Sequence, residues 1–221
     1  MHQSPPVKRA RWRDIDWIVD LVTATVAPTA LGAWLVPDER RRPAVLAGAA
    51  RIWVEHALLF GDAFLLTDGA AATVWFHRYR PIPPPSRYGE RIKDACGGHA
   101  DRFRRLDRAL GACHPQEPHN HLAILAAPPD TERASQAAAV LAGSHRLMDT
   151  FGLPIYADLY SDADRWLYQR LGYRRHHQLV RPDGPRVDLL WRPASPRRIN
   201  TTPSAGSCPD QQLSGHAMTP G

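Results

Sequence analysis

The sequence predicts a mixed α/β fold with one central sheet in a single domain. Predicted strands and helices alternate along most of the chain. The run 119–127 is continuously apolar after its first residues, which is typical of a strand in the centre of a sheet. Asp68-Gly69 stands between two apolar runs and indicates a tight hairpin.

Composition limits the classes of protein. The chain has 221 residues, enough for one domain of about 150 residues with an appendage. Twenty-eight Lys and Arg against 22 Asp and Glu give a net charge of +6. The basic residues are nearly all Arg and are scattered, without aromatic interleaving, so we expect a solvated surface and no nucleic-acid partner.

The cysteines and the apolar runs predict a cytoplasmic protein. Cys96, Cys113 and Cys208 are an odd number with wide spacing, which favours reduced thiols. Aspartates interrupt the N-terminal region where a signal peptide would be apolar, and no uninterrupted apolar run approaches the roughly 18 residues of a membrane span. We therefore expect no membrane association, and a monomer or a homodimer.

Periodicity and turn residues predict the elements of the N-terminal half. Asp14 precedes apolar residues with helical spacing and is expected to cap the first helix, and Asp38 is expected to open a second helix that runs to Gly61. Asp68 and Gly69 should both take positive φ angles in the hairpin turn. The remaining elements expected are a first strand, two hairpin strands and one or two surface helices: 7–11, 63–67, 71–77 and 88–113.

The C-terminal half predicts a strand, a long helix capped by Thr131 and ended by Gly152, and a short helix followed by a left-handed Gly172. The strands and the short helix expected there are 119–127, 155–159, 163–171, 173–180 and 186–191. From residue 194 the chain has almost no apolar residues, so we expect a domain at 5–193 and a disordered tail at 194–221.

The strand ending at Ala127 feeds a helix that starts after Thr131, and such a helix N-terminus can bind a pyrophosphate. An ordinary strand–helix crossover is the alternative. No dinucleotide-binding or P-loop motif is present in the sequence.

Four blocks in the C-terminal half carry a resemblance: Pro129-Asp130, Gly152-Leu153-Pro154-Ile155-Tyr156, Leu167-Tyr168-Gln169-Arg170-Leu171-Gly172-Tyr173 and Pro182-Asp183-Gly184-Pro185. With this spacing the chain resembles the GNAT superfamily of acyl-CoA-dependent N-acyltransferases, and looks closest to the branch that contains the puromycin N-acetyltransferases. The resemblance covers most of residues 7–192. It implies the GNAT fold, acetyl-CoA or another acyl-CoA as co-substrate, and no metal.

The resemblance also implies a phosphate loop at 132–137, where the family pattern is Q/R-x-x-G-x-G/A. Ala137 matches its last position, whereas Ser135 replaces a Gly and Glu132 replaces the Gln or Arg, a charge that Arg133 could offset. We expect these changes to weaken acyl-CoA binding by about 1 to 2 kcal/mol, and loss of that binding is the stricter alternative. The residues expected at the co-substrate are Ala126, Ala127, Glu132, Arg133, Ala134, Ser135, Gln136, Ala137, Ala138 and Asp164. Asp164 stands where the family often has Asn, so its contact with CoA is in doubt.

Two residues are the catalytic candidates that the resemblance implies. Tyr168 corresponds to the family's tyrosine near the thioester sulfur, and a neutral phenol can donate its proton to a departing thiolate. Asp158 corresponds to a glutamate and could accept the proton of the amine, directly or through water; a turn-capping role beside Ser161 is its alternative. A core role is the alternative for Tyr168.

Other chemistry-bearing residues have more ordinary interpretations. His119 and His121 face the same side of their strand, but with Cys113 and His114 they fit no common zinc spacing. We expect satisfied strand histidines or residues lining an acceptor pocket. The aromatic residues Trp53, Trp75, Phe76 and Tyr79 are expected in the core and the pocket wall.

Taken together, the sequence predicts an enzyme that transfers acetyl, or another small acyl group, from acyl-CoA to an amine of a small molecule. Antibiotic modification or natural-product tailoring is the role that the resemblance suggests. The alternative is a degenerate, non-catalytic protein of the same fold that binds a ligand or a partner.

Overall fold

The structure, a computed structural model, describes residues 6–130, 132–180 and 184–194. The predictions about Thr131, Pro182, Asp183 and the tail at 195–221 lie outside these residues. The helices and strands in the described residues are β1 Val7–Arg9, α1 Ile15–Val26, α2 Ala30–Leu35, α3 Arg42–Phe60, β2 Gly61–Leu66, β3 Ala72–Arg78, α4 Tyr88–Cys96, α5 Ala100–Ala112, β4 His119–Ala126, α6 Arg133–Met148, β5 Ile155–Leu159, α7 Arg165–Arg170, β6 Arg174–Leu179 and β7 Val187–Arg192.

One seven-stranded mixed sheet organises the chain, in the order β1-β2-β3-β4-β5-β7-β6. The neighbours β4 and β5 are parallel, and the other pairs are antiparallel. This arrangement confirms the predicted mixed α/β class. It also confirms that the strand starting at His119 is central, since β4 lies fourth of seven.

Helices cover both faces of the sheet. Strand β2 alternates its side chains between two cores, as its period of two requires: Ala63 and Leu65 pack with α1 and α3, whereas Phe64 and Leu66 pack with α6. A third core joins α2 and α3 to α4 and α5. Because both faces are covered, five of the six residues of β2 are buried.

Helix α3 is long and apolar enough to cross a membrane by length and composition. Eight of its residues are buried, and they pack against α1, α4 and the sheet. A core helix meets the same criteria, and the packing identifies α3 as one.

Several local predictions about the N-terminal half were wrong. The second helix begins at Arg42 and not at Asp38, because Asp38 Oδ1 accepts hydrogen bonds from the N–H groups of Arg40 and Arg41 in the preceding turn. It ends at Phe60, and Gly61 already begins β2. The short helix α2 was not predicted.

Turn and cap predictions had mixed outcomes. In the hairpin only Gly69 has a positive φ, of 78°, and the turn is a four-residue loop closed by the Leu66 N–H on the Ala71 carbonyl. Asp14 precedes α1, but its carboxylate accepts from the Arg11 N–H in a short 3-10 turn. Gly172 takes the left-handed conformation after a helix, with a φ of 87°, as predicted. Gly152 also has a positive φ, of 66°, which was not predicted.

Candidate functional site

The strands β4 and β5 separate at the middle of the sheet. Their pairing runs only from Asn120–Ile155 to Leu122–Ala157, and within the described residues no pairing continues beyond it. A β-bulge shifts the register between β3 and β4 beside Leu122, so that Ala123 is an extra residue on β4. A bulge bends its strand, which accounts for the divergence. The edge of β4 from Ala123 to Ala126 therefore offers backbone N–H and C=O groups that β5 does not use.

A cavity of about 180 Å3 lies on the α1–α3 side of this opening. Its wall is mainly apolar and comes from α1, α2, α3, α5, β3 and β4: Val22, Val26, Leu31, Leu35, Leu46, Ala49, Ala50, Trp53, Phe76, Phe103, Leu106, Leu110, Ala123 and Ile124. Trp53 and Phe76 contact each other edge to face at 6.2 Å. A cavity of this composition can enclose an apolar body of the size of an aromatic ring, since a cavity of roughly 150 Å3 accepts benzene.

Polar side chains line one part of this cavity. Asp158 projects from β5, His121 from β4, Arg78 from the end of β3, and His114 from the loop before β4. Asp158 is 3% exposed and uses one carboxylate oxygen, Oδ2, for two partners: His121 Nε2 at 3.0 Å and the Tyr160 hydroxyl at 3.1 Å. The predicted turn-capping alternative for Asp158 is wrong, because Ser161 itself accepts from the Ala163 N–H.

Four buried polar atoms of this group have no hydrogen-bond partner among the described residues: Arg78 Nε, His114 Nδ1, His121 Nδ1 and Asp158 Oδ1. Buried polar atoms are normally hydrogen-bonded, so each unpaired one requires an explanation. The four side chains that carry these atoms all line one cavity, so a polar group bound there could complete their hydrogen bonds.

Electrostatics set the charges around the cavity. Burial, together with smaller contributions from the neighbouring His121 and Arg78, lowers the pKa of His114 to about 2, so His114 is neutral near pH 7. Burial also lowers the pKa of Arg78, and Asp158 opposes this effect. Asp107 of α5 carries the second carboxylate in the wall. Burial raises the pKa of Asp107 to about 6, although its hydrogen bond from the Tyr88 hydroxyl acts in the opposite direction.

Tyr168 of α7 is 1% exposed and packs its ring edge-on against Tyr173, with ring centroids 5.2 Å apart. Burial is the main cause that raises its pKa, followed by the carboxylates of Asp164 and Asp158. The Tyr168 hydroxyl makes no hydrogen bond within the described residues, whereas the Tyr173 hydroxyl is bonded to His145 Nε2 at 2.7 Å. The structure thus brings both predicted catalytic residues within electrostatic range of each other.

The predicted phosphate loop lies at the N-terminus of α6. Glu132, Ala134 and Ser135 are exposed, Ala137 is buried, and Gln136 and Ala138 are half-buried. Arg133 makes a bidentate ion pair with Asp164, with both N–O distances 2.6 Å. The guanidinium of Arg133 is therefore held by Asp164 and not by Glu132. Ala126 and Ala127 are fully buried.

Sequence reasoning missed Arg78, Asp107 and Tyr160 as site residues. It gave pocket lining as one of two alternatives for His119 and His121, and of these two His121 lines the cavity. The rings of His119 and His121 both contact His114 and Tyr156, as expected for residues on one side of a strand. Within the described residues no group of three or more His, Cys, Asp or Glu side chains could hold a metal ion.

No known protein-family profile matches the chain. Solved structures do match. A histone acetyltransferase HPA2 and related acetyltransferase from Corynebacterium glutamicum superposes with a TM-score of 0.65 at 22% identity, over 89% of this chain and all of that one. A Drosophila melanogaster polyamine N-acetyltransferase that forms N-acetylagmatine gives 0.58 at 17%, over 84% and 97%. A mosquito arylalkylamine N-acetyltransferase, from Aedes aegypti, gives 0.56 at 11%, over 87% and 100%. The chain therefore has the fold of the GNAT acetyltransferases, as the sequence predicts.

Proposed function

We propose that this protein is an N-acyltransferase that moves acetyl, or another small acyl group, from acyl-CoA to the amine of a small molecule. The observation that carries the proposal is the opening between β4 and β5. Beside this opening lies the cavity described above, which we call the acceptor cavity. Asp158 lines it and has one carboxylate oxygen without a hydrogen-bond partner among the described residues, and Tyr168 lies within electrostatic range of Asp158. The similarity of fold to enzymes that acetylate agmatine and arylalkylamines supports an amine acceptor.

The chain's own groups fit a bound acyl-CoA. The unpaired backbone edge of β4, ending in Ala126 and Ala127, can bond the amide groups of the pantetheine arm, and the N-terminus of α6 from Glu132 to Ala138 can face the pyrophosphate. Bound acetyl-CoA would supply the acetyl group as an activated thioester. Asp164 would contribute indirectly, through the ion pair that fixes the position of the Arg133 side chain.

Asp158 is the proposed base. The acceptor amine must lose a proton before its nitrogen can attack a thioester. Asp158 Oδ1 is the atom available to take that proton, because Oδ2 already accepts from His121 and Tyr160. The hydrogen bond between His121 Nε2 and Oδ2 holds the carboxylate in place.

Tyr168 is the proposed acid. Because its pKa is raised by burial and by two carboxylates, its hydroxyl keeps its proton until a stronger base forms beside it. A thiolate released in this apolar surrounding is such a base, so the hydroxyl can donate a hydrogen bond and then the proton to the departing sulfur.

A non-catalytic ligand-binding protein of the same fold is the second candidate. It is favoured by the phosphate loop, where Ser135 and Glu132 depart from the family pattern and Arg133 is paired with Asp164.

The proposal that the protein is an enzyme also includes finer expectations. They are a small-molecule acceptor, a place in the puromycin N-acetyltransferase-like branch, a role in antibiotic modification or natural-product tailoring, and a cytoplasmic location.

Calorimetry with acetyl-CoA and a thiol-release assay with a panel of amines test the two candidates. The enzyme predicts saturable binding and thiol release that requires both an amine and Asp158. Absence of acetyl-CoA binding up to millimolar concentration would overturn it, and binding without release from any amine would favour the ligand-binding protein.

A further inference from the structure

Arg78 is a cation without a counter-ion in the wall of the acceptor cavity. Its Nε is buried without a hydrogen-bond partner, and within the described residues its guanidinium forms no hydrogen bond or ion pair. Its contact is with the Phe76 ring, whose centroid lies 5.8 Å from the Arg78 Cζ. Other partly buried arginines in the chain are paired: Arg133 with Asp164 and Arg165 with Asp188.

Arg78 as a whole is half-buried, with its Nε buried and unpaired within the described residues. Leaving such a donor unpaired costs free energy that an anion can offset, and the planar fork of a guanidinium matches a carboxylate. Asp158 does not provide this bond, because its nearest partners are His121 and Tyr160. It does lie within electrostatic range of Arg78. The same part of the cavity therefore offers an acceptor for an ammonium group, Asp158 Oδ1, and a donor for a carboxylate, Arg78 Nε.

The rest of the cavity is apolar, with Trp53 and Phe76 among its aromatic walls. From this juxtaposition we propose that the acceptor is an α-amino acid with an apolar or aromatic side chain, whose carboxylate is bound by Arg78. An α-amino acid separates its nitrogen from its carboxylate by one carbon, so one polar end of a cavity can hold both. The side chain then fills the apolar part.

This inference rests on the proposed function, and binding measurements separate the two. The probes are L-phenylalanine, L-phenylalanine amide and phenethylamine, which share the same amine and aromatic ring. The first carries a carboxylate next to the amine, the second a neutral amide, and the third neither group. We expect the wild-type protein to bind L-phenylalanine about 10- to 100-fold more tightly than phenethylamine, with the amide between them, as for a charge-assisted hydrogen bond.

The variant Arg78→Met approximates the unbranched aliphatic part of the arginine side chain and removes the donors. We expect it to lose about tenfold or more of its affinity for L-phenylalanine and to change much less toward phenethylamine. Arg80→Met is the matched control, because Arg80 is exposed on the ring of Tyr79 two residues further along the chain; it should keep the wild-type order of affinities.

Equal affinity of the wild-type protein for phenethylamine and L-phenylalanine would overturn the proposal, and so would an equal loss for both in Arg78→Met. If Arg78→Met does not fold, the order of the three probes on the wild-type protein still decides. If acetyl-CoA does not bind, the proposed function is overturned, and the order of the three probe affinities still tests whether the cavity binds an amino acid. Acetyl transfer to phenethylamine with no preference for L-phenylalanine would retain the function and reject the amino-acid acceptor.

Discussion

Two buried polar regions of this chain differ in how completely their groups are paired. At the acceptor cavity, Arg78, His114, His121 and Asp158 each have a buried atom that bonds no other part of the chain that the structure describes. In the second region, behind α6 on its sheet-facing side, both ring nitrogens of His145 are hydrogen-bonded, one to the Leu141 carbonyl at 2.6 Å and one to the Tyr173 hydroxyl. Arg192 and Asp149 form a bidentate ion pair there.

Under the proposed function, the difference separates groups that stabilise the fold from groups whose hydrogen bonds a bound ligand would complete. Fully paired buried groups contribute to stability, and unpaired ones reduce it. A protein retains the second kind where a bound molecule completes the bonds, at the cost of stability in the free state. Substitutions in the two regions should therefore have opposite effects on activity and stability.

The largest contrast is expected between two aspartates. Asp158→Asn removes the proposed base and should lower kcat/KM about 10²- to 10⁴-fold, the range of general acid–base catalysis, with little change in stability. Asp149→Asn breaks the pair with Arg192 and should lower stability by about 1 kcal/mol with activity retained. Thiol-release kinetics and urea unfolding measure the two effects. A loss of activity in Asp149→Asn equal to that in Asp158→Asn would show that the regions do not differ in this way.

The two tyrosines in contact give a smaller contrast. Tyr168→Phe removes a hydroxyl without a protein partner and should lower kcat about 10- to 100-fold, with acetyl-CoA affinity unchanged. Tyr173→Phe leaves His145 Nε2 without its partner, so it should destabilise the protein by about 1 to 2 kcal/mol and keep kcat. Turnover and chemical denaturation of both variants check this. Wild-type turnover in Tyr168→Phe would remove that residue from the mechanism.

Acid should weaken the paired region through His145. Burial lowers the pKa of His145 to about 4, against an ordinary value of 6.5. As the pH falls from 6.5 to 4, the unfolded state binds a proton that the folded state does not, so stability falls over this interval and levels off below it. The contribution is about 2 kcal/mol between pH 7 and pH 5.

Urea unfolding at pH 7, 6 and 5 measures this slope. His145→Gln has no titrating ring and should lose less stability on acidification than the wild-type protein does. The slope that remains should come from His114 and His119, whose pKa values are also lowered by burial. The same slope in both proteins would mean that His145 does not titrate across folding.

The central strand, the hairpin and the long C-terminal helix could be predicted from sequence because each has a strong local pattern. Helix α2 could not, since its six residues Ala30–Leu35 are all small or apolar and have no polar face. Its one local signal is Thr29, whose hydroxyl oxygen accepts the Gly32 N–H at 3.1 Å as an N-cap.

The residues of the candidate site likewise divide into those that the sequence could identify and those that it could not. Asp158 and Tyr168 could be identified because they lie in blocks with a recognisable order along the chain. Arg78 and Asp107 could not, because they lie far apart in sequence, on β3 and α5, and only the fold places both in the wall of one cavity. Pairing between strands far apart in sequence decides which side chains line a cavity, and no local pattern records it.

The smallest effect is expected on acetyl-CoA affinity at the predicted phosphate loop, where Arg133 and Asp164 form a bidentate ion pair. Asp164→Asn removes a negative charge near the N-terminus of α6 and releases Arg133, whose pKa is raised mainly by its hydrogen bond to Asp164. A freed guanidinium can bond a phosphate, so we expect acetyl-CoA to bind about three- to tenfold more tightly, equivalent to roughly 1 kcal/mol. Calorimetry of the variant and the wild-type protein measures the change.

Asp162→Asn is the matched control for charge. Asp162 lies two residues from Asp164, and its side chain is 89% exposed and pairs with Arg165. It removes the same charge from the same segment without releasing Arg133, so its effect on affinity should be smaller and should disappear in high salt. Weaker acetyl-CoA binding in Asp164→Asn would mean that the Arg133–Asp164 pair itself shapes the phosphate loop, and the pair would then belong with the structural groups behind α6.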